Sequence, residues 1–437
     1  MTRRCRRGTK AANYQIVAFL MASASNTLAI GLTGSFGSGC STLARALASR
    51  GFQPISLSLP LKENWSAEKK RPPEEAPRGD LQDMGNMFAG SQGKDHLAKL
   101  AWKRGRAASA SRLVFDGIKR EDEVAFLRGK FPNFYLVAVL CEREERWNRA
   151  KDVYMGRGLN ENSFNADDVR DQIEEVSFGQ QVALCVDDAD IVINNNKHTS
   201  ITVALKNLRS QGDRYLGLMT EDNLCAPTQD EIFMSMAYAQ AERSGCIKRH
   251  VGAIIVDNNG SLVSAGFNEN PSLRPCYQEL GYCRKDELMS ERLEEQRGKF
   301  CPNCGKVLDE VSPPWRCKSC GVSLKAHYFS DHGVRWCQAI HGEERAIGAA
   351  RDCVRPLERA TLYTTTFPCL NCAKLVSDAR IGQVVYVEPY PEKEAVAFLT
   401  QSEVPTIPFE GVKARAFHRL FKPFRAFMEK QYQLESA

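Results

Sequence analysis

The sequence has little that would hold it in a membrane. Its apolar run near the start, Ile16 to Ala22, falls far short of the roughly 20 residues that a spanning helix needs. It also lacks an excess of either charge. Arg3, Arg4, Arg6, Arg7 and Lys10 account for five of the net +6, leaving 54 basic against 53 acidic residues elsewhere. A near-neutral folded part argues against a sequence-independent polynucleotide binder. Sixteen cysteines in 437 residues are too few for a disulfide scaffold, and six of them lie in three Cys-x-x-Cys pairs. That pattern favours metal thiolates in a reducing compartment. No internal repeat is evident, and nothing points to a fibre or a disordered tail.

The first residues pull the other way. MTRRCRRGTK followed by IVAFLMASA has the basic region, apolar run and small residues of a secretory signal. A phosphate-binding loop and thiolate metal sites both belong in the cytoplasm, which is the expected location. Initiation at Met21 rather than Met1 would account for the segment equally well.

From Leu28, an apolar run enters a glycine-rich turn and then a helix-patterned segment that stops at Gly51. Pro54–Leu61, Arg112–Arg120, Phe134–Cys141 and Ala189–Asn196 read as further strands, and the charged, proline-rich Trp65–Asp80 as a mobile lid or linker. Alternating strands and helices imply an α/β fold with a parallel sheet. Periodicity fades between Gln211 and Asp230, where Gly212, Gly217 and Pro227 place a boundary. The expected organisation is an N-terminal extension (1–27), a first α/β domain (28–215) and a second, three-layer α/β/α domain (226–437) carrying an insert at about 271–337. In the second domain, VGAIIVDNNGSLVSAGFN reads as a β-hairpin turning at Asn258–Gly260.

GSFGSGCS, that is Gly34, Ser35, Phe36, Gly37, Ser38, Gly39, Cys40 and Ser41, fits the phosphate-binding pattern G-x-x-x-x-G-K-[ST] except that cysteine replaces lysine. Backbone amides and the helix start cradle phosphate, Ser binds magnesium, and Lys neutralises the transferred phosphoryl group. The expectation is nucleotide binding without efficient phosphoryl transfer, with Asp116 as a magnesium ligand; the competing reading is a connecting turn. With VFDGIKR, EREERWNRA and ADIVINNN, Leu28–Leu208 resembles the small P-loop kinases of the dephospho-coenzyme A and nucleoside monophosphate type.

His341, Glu343, Pro368, Cys369 and Cys372 spell H-x-E and P-C-x-x-C. One imidazole and two thiolates give three zinc ligands and leave the fourth tetrahedral position to water, as a catalytic site requires. Glu343 is near enough to move protons without binding metal, the arrangement of zinc deaminases. Cys301, Cys304, Cys317 and Cys320 form two knuckles that predict a structural zinc ribbon. Cys276, Cys283, His327, His332 and Cys337 are candidates for a further metal site whose pairing spacing does not settle.

VGAIIVDNNGSLVSAGFN, HGEERAI and TLYTTTFPCLNCAKLV resemble the deoxycytidylate deaminase branch of the cytidine deaminase superfamily. The resemblance implies that Asn268 contacts the substrate sugar and that Gly342, where the family more often has Ala, is tolerated. A degenerate P-loop domain fused to such a deaminase resembles the bacterial anti-phage dCTP/dCMP deaminases. That implies zinc-dependent deamination of free deoxycytidine nucleotides, dCTP depletion during infection, homo-oligomeric assembly and, in some members, restraint by a co-encoded small RNA. Two other readings are a polynucleotide deaminase, which should show a basic, aromatic-lined groove, and a nucleotide-binding regulator with purely structural zinc.

Overall fold

The computed structural model describes residues 27–108, 110–172, 178–196, 201–270, 276, 282–311, 315–320, 322, 324–328, 337–351, 357–387 and 393–435. Met21 and His332 lie outside them. The described strands are β1 (Leu28–Thr33), β2 (Gln53–Ser56), β3 (Arg112–Ile118), β4 (Asn133–Leu140), β5 (Ile191–Asn194), β6 (Gly252–Val256), β7 (Leu262–Phe267), β8 (Thr361–Thr364), β9 (Gln383–Tyr386), β10 (Thr406–Pro408) and β11 (Gly411–Val412). They form two mixed sheets in two compact units, one running to Thr228 and resuming at Glu410, the other spanning Gln229–Phe409.

The first sheet has the order β11-β5-β4-β1-β3-β2, parallel except for β11. β1, buried along its whole length, is a continuous apolar run because helices cover both faces of such a sheet. It lies where the chain crosses from one side of the sheet to the other, so the loop that follows it opens into the crevice where α/β sheets take ligands.

Three expectations need correction here. Only Pro54–Ser56 of the proposed second strand is extended, in β2: the Leu57 N–H still bonds Asp116 O, but a helix starts at Leu59, with Pro60 in its first turn. The lid expected at Trp65–Asp80 is largely helical and anchored, since Trp65 is buried and its Nε1–H donates to Asp80. Between Gln211 and Thr220 the chain is the end of the long helix Ile201–Thr220. Its glycines permit close packing instead of breaking the helix: a Cβ at Gly212 would meet Leu43 at 3.2 Å, and one at Gly217 would meet Asn223 at 2.6 Å.

The domain limit at residue 437 also shifts. β11 pairs antiparallel with β5, and the helix Ala414–Glu435 buries Ala416, Leu420 and Phe421 in the core that contains Leu28, Ile30 and Val137. Residues from Glu410 onward therefore complete the first unit. A two-residue strand carries almost no local signal, which is why the return is invisible before long-range pairing is known.

The second sheet runs β10-β9-β8-β6-β7, with β6 antiparallel to both neighbours and β8, β9 and β10 mutually parallel. The helix Gly342–Arg351 packs against β6 and β7 through Ala346, Ile347 and Ala350. Gly266 allows the approach, because a Cβ there would stand 2.2 Å from Gly342 O and 2.5 Å from Ala346 N. The ribbon segment has its own core of Met289, Leu293, Leu308, Val311 and Leu324. Among the described residues, no helix is long and apolar enough to cross a membrane.

Candidate active site

Two helix starts build the centre of the second unit. His341 immediately precedes the helix Gly342–Arg351, Glu343 lies in its first turn, and Cys369 caps the helix Leu370–Asp378, which contributes Cys372. The Nδ1 atom of His341 lies 3.4 Å from Cys369 Sγ and 3.3 Å from Cys372 Sγ. Zinc–nitrogen bonds of about 2.0 Å and zinc–sulfur bonds of about 2.3 Å put tetrahedral N···S edges near 3.5 Å, so this donor set fits the ion. Among the described residues it has three members and no fourth.

Glu343 is buried at 2 % exposure. Thr364 Oγ1–H donates to its Oε1 at 3.4 Å, and the Cys372 thiol donates to Oε2 at 3.7 Å. Burial raises its carboxyl above the ordinary range, against the opposing pull of His341. Bonding to Cys369 drives His341 up to about 9, against burial and with help from Glu343. Bonds from Cys372 and His341 draw Cys369 down to about 4, while the same contact and burial push Cys372 far up. In the metal-free protein the pair therefore holds one thiolate and one thiol.

Asn268 is buried just beyond β7. Its Oδ1 accepts the Val251 N–H at 2.7 Å, its Nδ2 donates to Arg249 O at 2.8 Å, and its carbonyl accepts Ser244 Oγ–H. It thereby ties residues 249–251 to the end of the hairpin. A Cβ at Gly342 would come within 3.1 Å of Val251 O, so that same loop fits tightly against the start of the helix bearing Glu343.

In the ribbon, Cys301 and Cys320 stand 3.7 Å apart and Cys304 and Cys317 3.8 Å apart, matching the roughly 3.8 Å edge of a zinc tetrahedron with four thiolates. Cys276, Cys283 and Cys337, with Cys246, which the sequence does not single out, are near enough for neighbouring thiols, after burial, to raise the pKa of Cys276 and Cys337, but they are not among the close donor groups of the described residues. Cys246 stands outside any Cys-x-x-Cys pair, so only the fold reveals it. His327 is exposed and stacks edge-on against Tyr328.

The first unit assembles the expected loop. Gly37 and Gly39 take φ values of 84° and 114°, and a Cβ on Gly39 would strike Asn195 Nδ2 at 2.4 Å. Asn195 Nδ2 donates to Ser38 O, while Ser41 Oγ–H donates to Asp116 Oδ2 at 2.6 Å. The Phe36 N–H reaches Asp171 Oδ2 at 3.3 Å, and Ser35 O accepts the Ser38 N–H. Burial and Asp116 push the Cys40 thiol up to about 11, so it is neutral. Lys119, from the VFDGIKR segment, extends to the loop and donates to Gly34 O at 2.8 Å and to Asp171 Oδ2 at 3.2 Å.

Residues 227–388 match the family described as the cytidine and deoxycytidylate deaminase zinc-binding region. The deoxycytidylate deaminase of Mycobacterium phage D29 is 30 % identical over 161 residues, covering 37 % of this chain and 94 % of that protein. This chain belongs to the deoxycytidylate deaminase family. The Schizosaccharomyces pombe deoxycytidylate deaminase is 27 % identical over 215 residues, 49 % of this chain and 52 % of the relative. This family member thus spans about half the length of the S. pombe and Saccharomyces cerevisiae deaminases that it matches. A UPF0200 protein of Thermococcus kodakarensis is 27 % identical over 182 residues, covering 40 % of this chain and 94 % of that protein. Among solved structures, the apo dCMP deaminase of cyanophage S-TIM5 aligns with 42 % of the chain at a TM-score of 0.26 and 19 % identity, covering 100 % of that chain.

Proposed function

We propose that the second unit hydrolytically deaminates the cytosine of a free deoxycytidine nucleotide, dCMP or dCTP, giving the deoxyuridine nucleotide and ammonia. The supporting observation is a water-excluded Glu343 beside a three-member donor set, His341, Cys369 and Cys372, whose spacing suits tetrahedral zinc. Zinc bound there, with its fourth position open, supplies a Lewis acid that makes water nucleophilic near neutral pH. Glu343 takes the proton of the water that attacks C4 and delivers it to N3, then passes a second proton to the departing amino group. Thr364 anchors Oε1 during this shuttle. Oε2 becomes free for the proton once Cys372 is a thiolate and no longer donates to it. Asn268 offers its second amide hydrogen to the sugar.

The proposal extends to zinc in the ribbon and to a regulatory first unit that binds a magnesium nucleotide through Gly34–Ser41 and Asp116. Phage defence by dCTP depletion in the cytoplasm, homo-oligomeric assembly and restraint by a small RNA belong to it through the resemblance to anti-phage deaminases.

The test is ammonia release with product identification from dCMP, dCTP, CTP, single-stranded DNA and RNA, alongside Glu343→Ala. Removing the proton carrier should slow turnover by about 10²–10⁴. Activity only on polymer, or full activity in the variant, would overturn the reading.

A further inference from the structure

We propose that Lys119 supplies the phosphate-binding ammonium that position 40 lacks, so that the loop Gly34–Ser41 together with Lys119 forms a charge-complete site for a magnesium-bound triphosphate. The inference rests on reading that loop as a phosphate cradle and adds the residue that carries its charge.

Position is the first argument. Lys119 Nζ donates to the carbonyl of Gly34, the residue that opens the glycine loop. It is also close enough to Cys40 to oppose the upward shift of that thiol. An ammonium has therefore returned to the loop from the end of β3, three residues beyond Asp116, whose carboxylate accepts the Ser41 hydroxyl hydrogen. One segment thus delivers both a carboxylate suited to magnesium and a cation suited to phosphate.

Charge balance is the second. Arg146 pairs with Asp168, and Arg149 pairs with Glu145, so the arginines beside Phe36 and Gly37 are already neutralised. Asp171 is shared by two cations: Arg78 contacts both of its oxygens, Gln82 and the Phe36 N–H add hydrogen bonds, and Lys119 is the fourth donor. Although burial alone would raise the Asp171 carboxyl, Arg78 and Lys119 hold it well below its ordinary value. If Lys119 swings away, Arg78 still compensates Asp171, which leaves one positive charge for an incoming phosphate. An ammonium carries three hydrogens; Gly34 O and Asp171 take two, and the third has no partner among the described residues.

The experiment uses the full-length chain and calorimetric titration with magnesium tripolyphosphate and magnesium ATP, accompanied by thermal melts. Wild type should bind both saturably, and Lys119→Gln should weaken binding by roughly tenfold or more, the effect of losing one charge-assisted contact. The double variant Cys40→Lys with Lys119→Gln should recover most of the affinity, since it moves the ammonium to the usual position. A Lys119→Gln variant that binds like wild type overturns the assignment. So does a folded double variant that stays as weak as Lys119→Gln, because Lys119 would then only be bracing Gly34 and Asp171. Absence of binding in wild type would instead overturn the cradle reading itself. Acetylation of surface lysines, mapped by peptide mass, provides a check without variants: magnesium ATP should protect Lys119, and unchanged labelling would overturn the assignment.

Discussion

In the proposed mechanism Glu343 carries protons from a buried position that shuts out bulk water and admits only the water it deprotonates. Thr364 anchors its Oε1 with a hydroxyl that favours the ionised carboxylate against the burial that disfavours it. Thr364→Val removes that anchor, so the Glu343 pKa should rise further and the carboxylate be lost at higher pH. The acidic limb of the kcat/KM profile should then move to higher pH, with activity near neutrality down by roughly tenfold; an unmoved limb would show that Thr364 does not tune the base. His341 sets a second pH effect. With its folded-state pKa raised to about 9, it carries a proton throughout the neutral range, and an incoming metal must displace that proton as well as the one on Cys372. Zinc affinity should therefore climb with pH until about 9 and fall steadily toward acid, with protons released on binding. Chelator competition at several pH values would measure it.

The helix Gly342–Arg351 depends on a missing side chain. With only 2.2 Å between a Cβ at position 266 and Gly342 O, Gly266→Ala must push the helix Gly342–Arg351 away from β7, carrying Glu343 and the adjacent His341 with it. Overpacking of this kind costs about 1–3 kcal/mol, so melting temperature should drop. Turnover should fall by more than stability alone accounts for, since the base shifts relative to the thiolates. Equal zinc content and unchanged kcat in the variant would contradict this. This contact also marks the limit of what residue types reveal. H-x-E and P-C-x-x-C were readable because ligand chemistry allows few substitutes at those positions, and β1 with its glycine loop because its periodicity is local. Thr364 lay in full view within TLYTTT, but nothing distinguishes its hydroxyl from its neighbours until β8 and the helix are placed. Lys119 stands within VFDGIKR, but only the fold shows it reaching the loop, because the two segments are far apart in the chain.

Across the whole molecule, the surprise is connectivity. Fading periodicity places the boundary between Gln211 and Asp230, and the units divide within that span, after Thr228, although the long helix runs through to Thr220. The return after Phe409 depends on β11 meeting β5 and on Leu420, 1 % exposed, entering the first unit's core. Leu420→Ala should therefore destabilise the first unit by about 2–5 kcal/mol, seen as a lower transition for that unit in calorimetry. A shift confined to the second unit would refute the assignment.

β5 would otherwise present a bare edge, a template for unwanted strand pairing, and β11 covers it with residues made only after the entire second unit. During synthesis the unit that is begun first is finished last. Chains broken off between Cys372 and Gly411 would keep His341, Cys369 and Cys372 while exposing an adhesive strand. That edge is thus closed only once synthesis has passed beyond the second unit.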